Sequence, residues 1–194
     1  GVPLTLLRLT SEHQLALIEM GASKPGDIAE LCDIALPNYG LITNIGRAHL
    51  EGFGSLEGVR HTKGELYDSL RAHQGIVFFR AEDKVLEEMS EGIDRIDYGT
   101  DPEARIVGQT TPSQSDQLFL HLSWSCPTLG ISSRTIQTKL VGDYNLANAL
   151  AAITIGLYFD VAPEQIDQAL ADYTPSNSRS QLITSTRGNQ IIAD

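Results

Sequence analysis

Basic residues are scarce in this chain: 14 lysines and arginines stand against 25 aspartates and glutamates, a formal net charge of -11. A nucleic-acid surface needs a basic patch, so the balance argues against that class of partner. Anionic small substrates remain open, because a few local cations or a metal ion can overcome the global charge. Only two cysteines occur, Cys32 and Cys126. They lie far apart and form no CxxC pair, which fits a reducing cytoplasm. No run of 18 apolar residues is present and no charged-then-apolar leader opens the chain, so a soluble, cytoplasmic protein without membrane insertion is expected. Internal repeats are absent too. The glycine-rich GFGSLEG at 52–58 departs from GxGxxG because its third glycine falls one residue late. There is no GxxxxGK[ST] phosphate loop, and TKG at 62–64 has the wrong order.

What is present suits one sizeable α/β domain. A chain of 194 residues, 41% hydrophobic and 20% charged, can bury its own core. Residues 41–66 form its centre. An apolar, β-leaning run (Tyr39, Leu41, Ile42) passes Thr43, Asn44 and Gly46 into a loop with His49 and Glu51. A glycine turn then leads into a helix holding Lys63 and Glu65. Strand, loop and helix in that order present chemistry at the carboxyl edge of a parallel strand. A histidine and a carboxylate two residues apart can bind a metal, move protons or simply be solvated.

Around that centre the pattern predicts a short helix over 3–9 and a doubly buried strand over 15–20 (LALIEM). Glu19 then sits at the end of the buried strand, as a paired structural carboxylate or a metal ligand. Helices follow over 25–35 and 56–72. Lys63 lies four residues after Val59 and three before Leu66, on or beside an apolar face. It either snorkels to water or serves chemistry. A strand at 76–79, a helix at 83–89 and a strand at 93–98 complete a βαβ alternation, which predicts a mostly parallel sheet flanked by helices.

From about 98 to 140 the texture changes to antiparallel β. Alternation runs through Leu118, Leu120, Leu122 and Trp124 and again through Ile136, Thr138 and Leu140, with a hairpin near 127–130. Trp124 reads as core, and His13, His61, His73 and His121 as structural or solvated. A helix starts with Asp143 as N-cap; Asn145 and Asn148, near its start, either cap it or meet a polar ligand. Another helix runs over 163–173, and strands over 181–186 and 190–194 close the chain. Its abrupt ends, Gly1-Val2-Pro3 and Ile191-Ile192-Ala193-Asp194, suggest a piece of a longer polypeptide.

Five blocks resemble the central domain of the Mur ligases: IEMGASKPGDI at 18–28, TNIGRAHLEGFGSLEGVRHTKGEL at 43–66, GDYNLANALAA at 142–152, SRSQ around Arg179, and the final IIAD. Within that family the likeness is strongest to the branch adding D-alanyl-D-alanine to UDP-N-acetylmuramoyl-tripeptide. The resemblance implies a P-loop NTPase-like α/β domain without its first strand and phosphate loop. It covers residues 1–194, with the UDP-sugar-binding and C-terminal domains absent. It also implies an ATP-dependent peptide ligase of cell-wall synthesis that works through an acyl phosphate with Mg²⁺, as a monomer.

By position, Glu19 and His49 match the family's magnesium-supporting residues, and Lys63 its carbamylated lysine. Asn145, Asn148, Arg179 and Asp194 match nucleotide-facing positions; Thr43, Asn44 and Glu51 fall in the substrate loop. Two rivals stand beside this reading. One is another Mur-type ligase or a folylpolyglutamate synthase, and the other is a non-catalytic nucleotide-binding module. Without the phosphate loop, the 194 residues alone are expected to be inactive.

Overall fold

The computed structural model describes residues 1–46, 55–112, 118–175, 181–184, 186 and 189–193. The chain divides into two compact units, residues 1–79 with 84–95, and residues 80–83 with 96–194.

In the first unit a short helix, α1 (Val2–Leu6), carries Pro3 in its first turn, where a missing N–H costs nothing. Helix α2 (Asp27–Ala35) buries Ile28 and Cys32. Strand β1 (Tyr39–Leu41) pairs in parallel with β2 (Ile76–Arg80), Tyr39 opposite Ile76 and Leu41 opposite Phe78. Between them runs α3 (Leu56–Ala72), which starts at Ser55, whose hydroxyl accepts from the Gly58 amide at 3.0 Å. Helix α4 (Lys84–Met89) follows β2. Tyr67 and Leu70 of α3 pack with Ile42, Val77, Phe79, Leu86 and Ile93 in one apolar cluster.

One expectation fails in this unit. Residues 15–20 form no strand; Leu15 is 53% exposed and Leu17 89%. An apolar run becomes a buried parallel strand only when neighbours bond both of its edges, and no strand pairs with it among the described residues.

In the second unit β3 (Asp94–Gly99) pairs in parallel with β4 (Ile106–Thr110). The sheet then turns antiparallel through β5 (Phe119–Cys126) and β6 (Ile131–Val141). The predicted hairpin is there: a 3₁₀ turn at Pro127–Leu129 ends on Gly130, whose φ of 68° suits a residue without a Cβ. The alternation also holds, with Leu120, Leu122, Trp124, Ile136, Thr138 and Leu140 on the buried side.

Helix α5 (Leu146–Tyr158) packs on β4 and α6 (Pro163–Asp172) on β6. A Cβ on Gly108 of β4 would collide with Leu150, so the glycine lets α5 lie close. Strands β7 (Gln181–Thr184) and β8 (Gln190–Ala193) form an antiparallel pair. Among the described residues no helix is long and apolar enough to cross a membrane.

Candidate functional site

The side chain that the sequence analysis weighed longest, Lys63, leaves α3 one turn after the fully buried Val59. The residue is half-buried, and its ammonium donates to the backbone carbonyl of the exposed Asn44 at 2.6 Å. Burial pushes its pKa below the ordinary 10.5, because desolvation penalises the charged form. A carbonyl oxygen offsets only part of that penalty. The neutral, nucleophilic amine is therefore easier to reach here than on an ordinary surface lysine.

Asn44 and Thr43 lie just past β1, at the carboxyl edge of the parallel pair, and both are exposed. Exposed polar groups beside a desolvated amine suit contact with a bound molecule. His49 and Glu51, expected in the same loop, lie outside the described residues.

Glu19 stands differently from the expectation. It ends no buried strand; it is exposed, and among the described residues no hydrogen bond or ion pair holds its carboxylate. Neither a structural ion pair nor a desolvated ligand describes it, because the strand that would have buried it does not form. Its neighbour Met20 does have a fixed contact, the Cys32 thiol of α2 at 3.9 Å from its sulfur. Among the described residues no three His, Cys, Asp or Glu side chains gather as a metal cluster. Glu19 nonetheless offers the free carboxylate oxygens that Mg²⁺ prefers.

The second unit holds the asparagine pair. Asp143 does not cap α5, contrary to the expectation: Gly142, at φ 86°, turns the chain into a 3₁₀ segment, Asp143–Asn145, before the α-helix begins. Asn145 does not cap either. Its amide, 7% exposed, donates back to the Val141 carbonyl at 2.9 Å, and its side-chain oxygen accepts from the Asn148 amide at 3.1 Å. The two thus form one relay, anchored to the end of β6.

They line a cleft of about 520 Å³ whose walls are Leu140, Ala149, Ala152, Ile166, Tyr173 and neighbouring residues. An apolar cleft with a few converging amide groups is the usual form of a small-molecule site. Arg179 and Asp194 lie outside the described residues.

Known proteins resemble this chain in sequence and in shape. The family model of the Mur ligase middle domain matches residues 1–156. The chain belongs to the Mur ligase middle-domain family. It is 31% identical, over its whole length, to the UDP-N-acetylmuramoyl-tripeptide–D-alanyl-D-alanine ligase of Bacillus subtilis (strain 168), and covers 40% of that protein. A crystal structure of MurF from Acinetobacter baumannii superposes over 95% of this chain and 40% of its own, with a TM-score of 0.79 at 27% identity. MurF ligase from Thermotoga maritima, solved in complex with ADP, matches all of this chain and 43% of its own, with a TM-score of 0.80. At 24% identity that last likeness carries the fold alone. The chain therefore spans about two-fifths of the length of the relatives it matches.

Three carboxylates of this Mur ligase middle domain were given no role by the sequence analysis. Glu65, 9% exposed on α3, accepts the amides of Gly26 at 2.7 Å and Ala29 at 2.9 Å, at the start of α2. A visible signal existed: Thr62 and Glu65 fall three apart, on a flank of α3 that is buried. Glu82 accepts from the amides of Thr100 and Asp101 and from the Thr100 hydroxyl. Burial pushes its pKa up, but those donors, the Thr100 hydroxyl foremost, outweigh it and hold the carboxyl below its usual range. Asp167 of α6 accepts from the indole of Trp124 at 2.8 Å and from Arg134 at 2.6 Å. No local pattern announces either of the last two, because their partners lie 18 to 43 residues away.

Proposed function

We propose that this chain is the central domain of an ATP-dependent amide ligase that adds D-alanyl-D-alanine to UDP-N-acetylmuramoyl-tripeptide in peptidoglycan precursor synthesis. Membership of the Mur ligase family supports the reaction class. The activity named for the Bacillus subtilis relative supports the substrates. The observation that carries the reading is the desolvated Lys63 amine beside the exposed Asn44 loop.

In such a ligase the tripeptide's terminal carboxylate attacks the γ-phosphoryl group of ATP, giving an acyl phosphate and ADP. The dipeptide amine then adds to the acyl carbon and inorganic phosphate leaves. The obstacle is charge, since an anion must approach a polyanion, and bound Mg²⁺ would supply the neutralising charge. Glu19, His49 and a carbamate on Lys63 are the groups we assign to hold it. The position suits carbamate formation: a neutral amine adds to CO₂ and releases a proton, and desolvation favours the neutral amine.

Thr43, Asn44 and Glu51 are assigned to the substrate. Asn145, Asn148, Arg179 and Asp194 are assigned to ATP, with the asparagine relay offering amide groups to a planar base at the apolar cleft. Two unpaired, buried cysteines fit a reducing cytoplasm, where we place a monomeric enzyme.

The test uses the full-length protein, with ATP, Mg²⁺, the UDP-linked tripeptide and D-alanyl-D-alanine. Phosphate release that depends on both the tripeptide and the dipeptide is expected, and Lys63→Ala should remove it. Equal turnover with a different amine, or turnover unchanged by Lys63→Ala, would overturn the assignment. The 194 residues alone should not ligate.

A further inference from the structure

Glu65 is a nearly buried carboxylate, and its main neutralising partners are two amides in the first turn of another helix. Both of its oxygens are used, one on Gly26 and one on Ala29. Such bonds are charge-assisted, and the positive end of the α2 dipole strengthens them. The contact therefore fixes where α2 begins relative to α3.

Two further contacts extend it. The turn before α2 is tied down by Asp27, whose carboxylate accepts from the Ser23 amide at 2.8 Å, the Ser23 hydroxyl at 3.1 Å and the Lys24 amide at 3.0 Å. Upstream of that turn, Met20 touches Cys32 of α2. Met20, Ser23 and Lys24 are thus fastened to α2, and α2 is fastened to α3 through Glu65. Two residues before Glu65, on the same helix, Lys63 reaches the Asn44 carbonyl.

We propose that Glu65 is a positioning residue: by gripping the first turn of α2 it holds α2, and the Met20–Lys24 segment attached to it, at a fixed place on α3, the helix whose Lys63 amine reaches the Asn44 carbonyl. It touches no reacting atom. Its effect passes through α2 on one side and through the rotation of α3 on the other. The consequence for catalysis rests on the ligase reading above; the consequence for Lys63 does not.

Glu65→Gln is the informative variant. A glutamine offers one acceptor oxygen, and its NH₂ would face a backbone N–H, donor against donor. In the full-length protein, amide exchange at Gly26 and Ala29 should quicken, and the resonance of the Asn44 carbonyl carbon, which accepts from the Lys63 ammonium through its oxygen, should shift. The ligation kcat should fall by roughly tenfold or more, as small misplacements of reacting groups do, with the KM for the dipeptide within about twofold. Glu65→Asp keeps both oxygens, one methylene short, and should fall between; it carries the same readouts should the glutamine variant not fold.

A purely structural role would lower the melting temperature while leaving the Asn44 carbonyl resonance and kcat of the folded variant at wild-type values, and that result overturns the proposal. Absence of ligation in the wild-type protein would instead remove the ligase reading, with amide exchange and the Asn44 carbonyl resonance still deciding the role of Glu65.

Discussion

In β5 the side chains of Leu120, Leu122, Trp124 and Cys126 are at most 1% exposed, with β4 bonded along one edge and β6 along the other. In residues 15–20, Leu15 and Leu17 are 53% and 89% exposed, and no strand is bonded to either edge among the described residues. Residues 15–20, LALIEM, hold five apolar residues of six, and β5, FLHLSWSC, five of eight, so hydrophobicity does not explain the difference. Partners make the difference: a strand's backbone groups are satisfied by its neighbours, and burial follows from that pairing. β5 turns back on β6 through a short 3₁₀ turn, so its partner comes from adjacent sequence.

The widest contrast is between two leucines. Leu122→Ala should cost about 3 kcal/mol, since it opens a cavity in a closed core. Leu17→Ala should change stability by less than about 0.5 kcal/mol, as exposed substitutions do. Urea unfolding of both variants measures the gap, and comparable losses would mean that residues 15–20 are buried after all. In a longer protein that supplies a partner strand, the amides of residues 15–20 should gain protection from exchange. In the 194-residue chain they should exchange freely.

That contrast also marks how far the sequence could be read. Elements whose contacts are local came through: α3 spans the predicted 56–72, and the alternation in β5 and β6 named the buried faces correctly. Lys63 does lie beside the apolar face of α3, as its spacing from Val59 and Leu66 predicts, but only the family resemblance gave it a role. The failures share a cause. Residues 15–20 needed a partner that no local pattern reveals. Asp143 looked like a cap, but a left-handed Gly142 and the back-bond from Asn145 to Val141 replaced capping. Glu65 and Asp167 draw their meaning from amides and rings dozens of residues away.

Carboxylates sharpen the comparison next. Glu19 sits in the exposed segment and Glu65 in the packed one, so the same substitution should read differently. Glu65→Gln should destabilise the chain by about 2 kcal/mol, because it leaves a buried amide facing a donor. Glu19→Gln should leave stability within about 0.5 kcal/mol. Asp167→Asn lies between them. It keeps one acceptor for the Trp124 indole but weakens the Arg134 pair, which is partly solvent-screened, for an expected loss of about 1 kcal/mol.

The smallest effect belongs to Lys63, and it is read from pH. Its folded-state pKa lies below 10.5, with burial as the cause. The unfolded chain therefore holds that proton more tightly than the folded chain does. As pH rises from the folded value towards 10.5, the unfolded state binds more protons, and stability must increase. Below that window the buried charge is a constant cost. Lys63→Met removes the titrating group while keeping most of the apolar stem, so this part of the slope should vanish. Stability measured by urea at a series of alkaline pH values, wild type against Lys63→Met, tests it. A wild-type slope identical to that of the variant would mean that Lys63 is as well solvated in the folded chain as in the unfolded one, and the desolvated amine on which the proposed chemistry depends would not exist.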